Sequence, residues 1–357
     1  MAKTVIVLNC NLFLAPFVRK YAEILKRRGI LFDIIYWNRI SNNEPPVEGA
    51  GKTFVFDVPL QPLQSKLKKI PEFIKFARYV KKVVSENHYD RLILLNTSTA
   101  LMLAAFLLFS YRGKYATDTR DYFMEKRMLP YFLEWIVFKK ADLRVISSPA
   151  YKKFLPKLDY VLMHNETFAP SDCIDRFRKR ERGGKIVIGQ VGLIRFYNQN
   201  IALIKSFGND PRFIIKFAGE NSDSLKSYIK SNGINNVELV GKFPSNETFE
   251  KYSDVSLINN IYGNDISLDT AYSNKLYIGA KLGMPILASP NTLTAETVEK
   301  YGIGCSVNLS DKNMPDKIYN YFSKIDFDQF LHNCDKFLSD VNSDMQNAEK
   351  SIVDFLK

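Results

Sequence analysis

Residues 273–292 read SNKLYIGAKLGMPILASPNT, and the organisation of the whole chain can be worked outward from them. Asn274 can cap a helix, and Lys275 then projects a cation from a first turn whose backbone N–H groups have no partner within the helix. Gly283 ends that helix. A strand over 285–288 follows, after which Asn291 or Thr292 can cap the next helix. The stretch thus offers two helix starts, and such a start holds a diphosphate well.

The same alternation runs through the second half of the chain. Short β-branched runs at 185–191, 213–217, 237–240, 255–258, 285–288 and 304–307 are separated by amphipathic segments at 201–207, 224–231, 247–252, 275–282, 295–301 and 316–323. Six β/α units make one doubly wound domain. The first half repeats the pattern, with strands expected at 4–8, 32–36, 53–56, 91–95, 115–117, 143–146 and 160–162 and helices at 17–28, 67–84, 100–109 and 130–140. Residues 171–184 carry Arg176, Arg178, Lys179, Arg180 and Arg182 and end in Gly183-Gly184, so they read as a linker. The expectation is an α/β protein of two doubly wound Rossmann-like domains facing across a cleft, 1–174 on the acceptor side and 175–335 on the donor side. A final helix over 336–357 either packs on the second domain or crosses back to the first.

Length and composition agree with this division. A chain of 357 residues exceeds one ordinary domain, and its hydrophobic fraction of 46% is that of a globular protein. Lys and Arg outnumber Asp and Glu 50 to 38, for a net charge of +12. That balance favours anionic partners: phosphorylated substrates, an acidic membrane surface or nucleic acid. The start has no long apolar core before a cleavage site, so no signal peptide is read. Cys10, Cys173, Cys305 and Cys334 are scattered without a CxxC pair, which suits a reducing compartment. The expected location is cytoplasmic.

In open α/β sheets the informative residues follow the strands. The run Gly192-Leu193-Ile194-Arg195-Phe196-Tyr197 puts a glycine where a backbone can approach a ligand and an arginine where a phosphate can be met; it also reads as a turn with a solvated arginine. Gly219-Glu220 and Gly241-Lys242 repeat the arrangement in successive units. His88, His164 and His332 form no ligand pattern, and Asp326-Phe327-Asp328 reads as a helix cap, so no metal is expected. There is no Gly-x-Gly-x-x-Gly, Gly-x-Ser-x-Gly or P-loop motif, which weighs against dinucleotide, hydrolase and nucleotide-hydrolysing classes.

From Asn274-Lys275-Leu276-Tyr277 to Gly283-Met284-Pro285-Ile286-Leu287-Ala288-Ser289, the chain resembles the donor-binding signature of the bacterial family 4 (group 1) type of glycosyltransferases, which have the GT-B fold. The resemblance extends to Gly192–Arg195, Gly219-Glu220 and Gly241-Lys242, and in the first half to residues 15–22 and 37–39. It implies transfer of a sugar from a nucleoside-diphosphate sugar, a substrate rather than a cofactor, to a saccharide or lipid-linked acceptor in surface-polysaccharide assembly. It implies also that Arg195 and Lys275 neutralise the diphosphate, that backbone near Gly241 and Lys242 meets the base, and that Ser289, Asn291, Thr292 and Leu293 close on the phosphates or sugar. One position departs from the pattern: relatives carry a glutamate where this chain has Ile278, and Asp269 or Glu220 are candidates to replace it.

Glycosyl transfer needs charge stabilisation on the departing diphosphate and a positioned acceptor hydroxyl. Asp118 and Asp121, after a strand of the first half, are the candidate acids for the second task, though an Asp-x-x-Asp between strand and helix also reads as a capping pair. Residues 66–84 place Leu67, Ile70, Phe73, Ile74, Ala77, Val80 and Val84 on one helical side among many lysines. That is either an amphipathic helix lying on an anionic membrane or a surface helix covering its own sheet. Two other functions compete with glycosyl transfer: a non-catalytic nucleotide-sugar-binding partner of another transferase, and a basic nucleic-acid-binding protein.

Overall fold

The structure, a computed structural model, describes residues 2–60, 69–122, 127–180, 183–262 and 265–357. The chain forms two compact units, one running to Asn165 and including Ser343–Lys357, the other spanning Glu166–Asn342.

The first unit contains β1 (Thr4–Leu8), α1 (Val18–Arg27), β2 (Phe32–Asn38), β3 (Thr53–Asp57), α2 (Ile70–Asn87), β4 (Arg91–Leu95), α3 (Thr97–Met102), α4 (Ala104–Ser110), β5 (Tyr115–Thr119), α5 (Met128–Lys140), β6 (Leu143–Ile146) and β7 (Val161–Leu162). Its strands form one parallel sheet in the order β3-β2-β1-β4-β5-β6-β7. Central strands such as β1 are buried at every position, as a sheet covered on both faces requires. The steps β3 to β4, β4 to β5 and β5 to β6 all run the same way along the sheet. Right-handed crossovers then put α2, α3, α4 and α5 on one face and α1 on the other. On the α1 side, Ala348, Ile352, Phe355 and Leu356 join Ile24 and Leu25 in the core.

The second unit contains α6 (Ser171–Arg178), β8 (Ile186–Val191), α7 (Tyr197–Phe207), β9 (Phe213–Ala218), α8 (Lys226–Ser231), β10 (Val237–Val240), β11 (Leu257–Asn260), α9 (Ile266–Thr270), α10 (Asn274–Leu282), β12 (Ile286–Ala288), α11 (Leu293–Tyr301), β13 (Gly304–Ser306), α12 (Met314–Ser323) and the start of α13 (Phe327–Phe355). The sheet is parallel, ordered β10-β9-β8-β11-β12-β13. The strand sequence reverses between β8 and β11, and that reversal is where doubly wound sheets bind ligands.

Several expectations shift. The basic segment at 171–184 is not a plain linker: Ser171–Arg178 is a helix that buries Phe177, and Arg178 donates to the carbonyls of Lys281 (2.9 Å) and Ala280 (3.2 Å) and pairs with Asp335 at 2.7 Å. The division between units therefore falls at 165/166 instead of near 175. Glu181 and Arg182 lie outside the described residues, as do residues 66–68 of the expected basic helix. The apolar run 100–109 is two helices that meet at Leu103. The strand expected at 255–258 lies two residues later, and 247–252 forms short 3-10 turns rather than one helix.

Candidate functional site

The reversal between β8 and β11 is lined by the loops that follow these strands. After β8, Gly192 adopts φ +113° and its N–H bonds the Ala218 carbonyl at 2.9 Å; after β9, Gly219 adopts φ +140°. A Cβ on Gly219 would lie 1.8 Å from the Gly192 carbonyl oxygen, so the two loops are pressed together by the absence of a side chain. Open space surrounds the Cβ position of Gly192 and that of Gly241, leaving both backbones approachable.

Arg195 follows on the surface, exposed, with its carbonyl taken by the Asn200 amide at 2.7 Å. Phe196 sits in the left-handed region at φ 60° and caps α7. Its ring lies 5.3 Å from that of Tyr262, in the loop after β11. Tyr262 in turn accepts a hydrogen bond from the Lys275 ammonium at 2.6 Å. Lys275 and Phe196, the residue after Arg195, thus meet at Tyr262 on the two sides of the reversal, while the Arg195 side chain is exposed.

The start of α10 is built by Ser273, whose hydroxyl accepts from the Lys275 N–H at 3.2 Å and donates to the Asn260 side chain at 2.7 Å. Ser273 is the cap expected of Asn274, which is instead the first helical residue and exposed. A neighbouring helix start is capped by Thr292, which accepts from the Ala295 N–H at 3.1 Å and donates to the Ser289 carbonyl at 2.8 Å. Asn291 takes φ 61° in the turn, and Leu293 opens α11. The Ser289 hydroxyl donates to the Tyr262 carbonyl, so the loops after β8, β11 and β12 all meet at Tyr262. Beneath them, the buried Asn259 amide donates to Gln190 at 3.0 Å, tying the ends of β11 and β8.

The remaining donor-side residues divide by exposure. Glu220 and Lys242 are open and face each other at 3.5 Å, a solvated pair of little energetic weight. Tyr197 is 48% exposed at the first position of α7. Tyr277, expected to touch the donor, is fully buried against Tyr272 and Phe337, and the ring acts in the core. Asp269, on α9, keeps one carboxylate oxygen shielded and without a partner, and desolvation raises its proton affinity.

In the first unit, Asp118 and Asp121 do not form a pair with one role. Asp118 lies within β5, 1% exposed, where Tyr21 Oη and Arg120 each donate to it at 2.6 Å. Arg120 is itself buried, bonded to the Met163 carbonyl at 3.0 Å and stacked on Phe17. A base that takes a proton from an acceptor must touch it, and this geometry makes Asp118 a structural anchor. Asp121 is open to solvent by surface area, although dense packing beneath its carboxyl raises its proton affinity, with Arg120 acting the other way.

Reading the sequence alone missed Tyr262, Ser273, Asn260 and Phe196. Placing the β11 strand two residues early moved Tyr262 away from the strand end, where it would have drawn notice. Among the described residues no group of three or more His, Cys, Asp or Glu side chains is arranged to hold a metal ion.

No family model matches the chain, and no curated protein matches it. Solved structures do. Sucrose-phosphate synthase from Thermosynechococcus elongatus superposes with a TM-score of 0.70 at 11% identity, over 98% of this chain and 99% of that one. The lipopolysaccharide outer core galactosyltransferase WaaB gives 0.69 at 14% identity, over 99% of each chain. HepE from Anabaena, in complex with UDP, gives 0.68 at 13% identity, over 98% of this chain and 100% of that one. With both parallel sheets and this likeness along its length, the chain has the GT-B fold of these glycosyltransferases.

Proposed function

We propose that this protein is a metal-independent glycosyltransferase that takes a sugar from a nucleoside-diphosphate sugar bound by the second unit and passes it to a saccharide or lipid-linked acceptor in bacterial surface-polysaccharide assembly. The observation that carries the reading is the cluster at the strand reversal. Lys275 rests on Tyr262, Tyr262 packs on Phe196, the residue after the exposed Arg195, and the helix starts capped by Ser273 and Thr292 lie beside them. Two cations and two helix starts suit the negative charge that develops on a departing diphosphate. HepE, of the same fold, is complexed with UDP, and WaaB is a galactosyltransferase of lipopolysaccharide, which favours a nucleotide-sugar donor and a surface glycan.

Gly192 and Gly241 leave backbone open to the nucleotide, Asn291 and Leu293 border the phosphates or sugar, and Asp269 or Glu220 takes the place of the glutamate that Ile278 replaces. Asp121 is the candidate base for the acceptor hydroxyl, since its carboxyl is exposed after β5 and desolvation raises its proton affinity.

The test is a thermal-shift screen with uridine, guanosine and cytidine diphosphates and their sugars. One diphosphate should raise the melting temperature, and Arg195→Ala and Lys275→Ala should each weaken it by about 10–100-fold, the value of one charge-assisted contact. No response to any nucleotide sinks the proposal. Release of free nucleoside diphosphate from the stabilising sugar separates a transferase from a binding protein without turnover, a reading that Ile278 favours.

The proposal includes peripheral attachment at the cytoplasmic face of the cell membrane. Among the described residues no helix is long and apolar enough to cross one. The helical face of the first unit, however, exposes Ile70 and Ile74 on α2, Phe109 on α4 and Met128, Leu129 and Phe132 on α5. Arg78 and Lys81 border the apolar groove between α2 and α4. Exposed apolar tips with Arg78 and Lys81 at the groove beside them suit an anionic bilayer.

A further inference from the structure

Lys275 is held in an unusual way for a cation that is to meet an anion. Among the described residues no carboxylate pairs with it; its ammonium rests on the Tyr262 hydroxyl at 2.6 Å and lies 5.3 Å from the centre of the same ring. A carboxylate partner would cancel the charge. A neutral hydroxyl fixes the end of the flexible stem and leaves the charge available to a ligand.

Tyr262 is suited to this because it is itself held by contacts from two other loops. Its ring packs on Phe196, the residue after Arg195, and its carbonyl accepts from Ser289, ahead of the second helix start. A displacement of any of these loops moves the ring, and with it the resting place of the ammonium.

We infer that Tyr262 is the positioning residue of the diphosphate site, acting on the anion only through Lys275. This rests on the proposed donor reading, in which Lys275 meets the diphosphate. A side chain with four rotatable bonds loses conformational freedom when it grips a ligand, and an ammonium already anchored at the site loses less. Tyr262 therefore raises affinity for the diphosphate group whatever base or sugar is attached.

The experiment is a double-mutant cycle with inorganic pyrophosphate, which carries the recognised group without a base. Its dissociation constant is measured by thermal-shift titration at fixed ionic strength for the native protein, Tyr262→Phe, Lys275→Ala and the double variant. Tyr262→Phe keeps the ring against Phe196 and removes only the hydroxyl. The expected result is a loss of roughly 3–10-fold for Tyr262→Phe, the size of one hydrogen bond, and no further loss when it is added to Lys275→Ala. An equal loss in both backgrounds overturns the inference, because Tyr262 then acts independently of Lys275. So does unchanged affinity in Tyr262→Phe. If Lys275→Ala alone leaves pyrophosphate binding intact, the donor reading itself fails and takes the inference with it, a result distinct from the other two.

Discussion

At the scale of single residues, the contact between Gly219 and the Gly192 carbonyl is the tightest constraint on the site. A methyl group 1.8 Å from that oxygen cannot be accommodated without separating the loops after β8 and β9, and φ +140° is strained for any L side chain. Gly219→Ala should therefore lower stability by about 2–4 kcal/mol in chemical denaturation. A cost under about 0.5 kcal/mol contradicts the close approach described. The glycines at strand ends were legible because they recur in register with the β/α units. What they touch was not, since the Gly192 contact depends on the pairing of β8 with β9. The fate of Asp118 was hidden for the same reason: its partners Tyr21 and Arg120 come from α1 and the end of β5, and an Asp-x-x-Asp written in one dimension shows neither.

At the scale of elements, the two capped helix starts order the loops beside the strand reversal, and the proposed donor reading gives them a ligand to meet. Thr292 satisfies one of the unpaired N–H groups of α11 and also holds the Ser289 carbonyl, so Thr292→Ala should cost about 1 kcal/mol in unfolding free energy. Because the remaining N–H groups are then less well aimed, affinity for the stabilising nucleoside diphosphate should drop as well. Thr292→Ser, which retains the hydroxyl, should restore both; a serine variant as weak as the alanine one points to the lost methyl group instead of the cap. The helix–strand–helix order of 273–292 could be read from Lys275, Gly283 and Thr292. Which residue caps α10 could not, because Ser273 and Asn274 are both good caps, and the bond from Ser273 to Asn260 that decides between them joins positions thirteen apart.

At the scale of the whole molecule, the alternation of strands and helices gave two doubly wound sheets, and right-handed crossovers then fix which helices share a face. That face joins α2 to α4 and α5, so the basic amphipathic segment noticed in the sequence is one part of a larger apolar surface. Phe109 is 89% exposed and Phe132 58%. If insertion of these tips anchors the protein, Phe109→Ser with Phe132→Ser should reduce co-flotation with phosphatidylglycerol vesicles by about 10-fold or more, since each buries apolar area worth about 2 kcal/mol. Undiminished flotation assigns the binding to charge alone, and high salt should then abolish it. The sequence did not disclose this surface, since Met128 and Leu129 look like ordinary core residues until the sheet is assembled.

The sheet of the first unit is complete in strands by residue 162, yet its α1 side is closed by Ala348, Ile352, Phe355 and Leu356. During synthesis, therefore, the nascent first unit must wait with an apolar flank uncovered while the entire second unit emerges from the ribosome. Its folding is tied to translation of residues 343–357, and a nascent chain arrested near residue 340 should be a substrate for chaperones rather than a half-finished native protein.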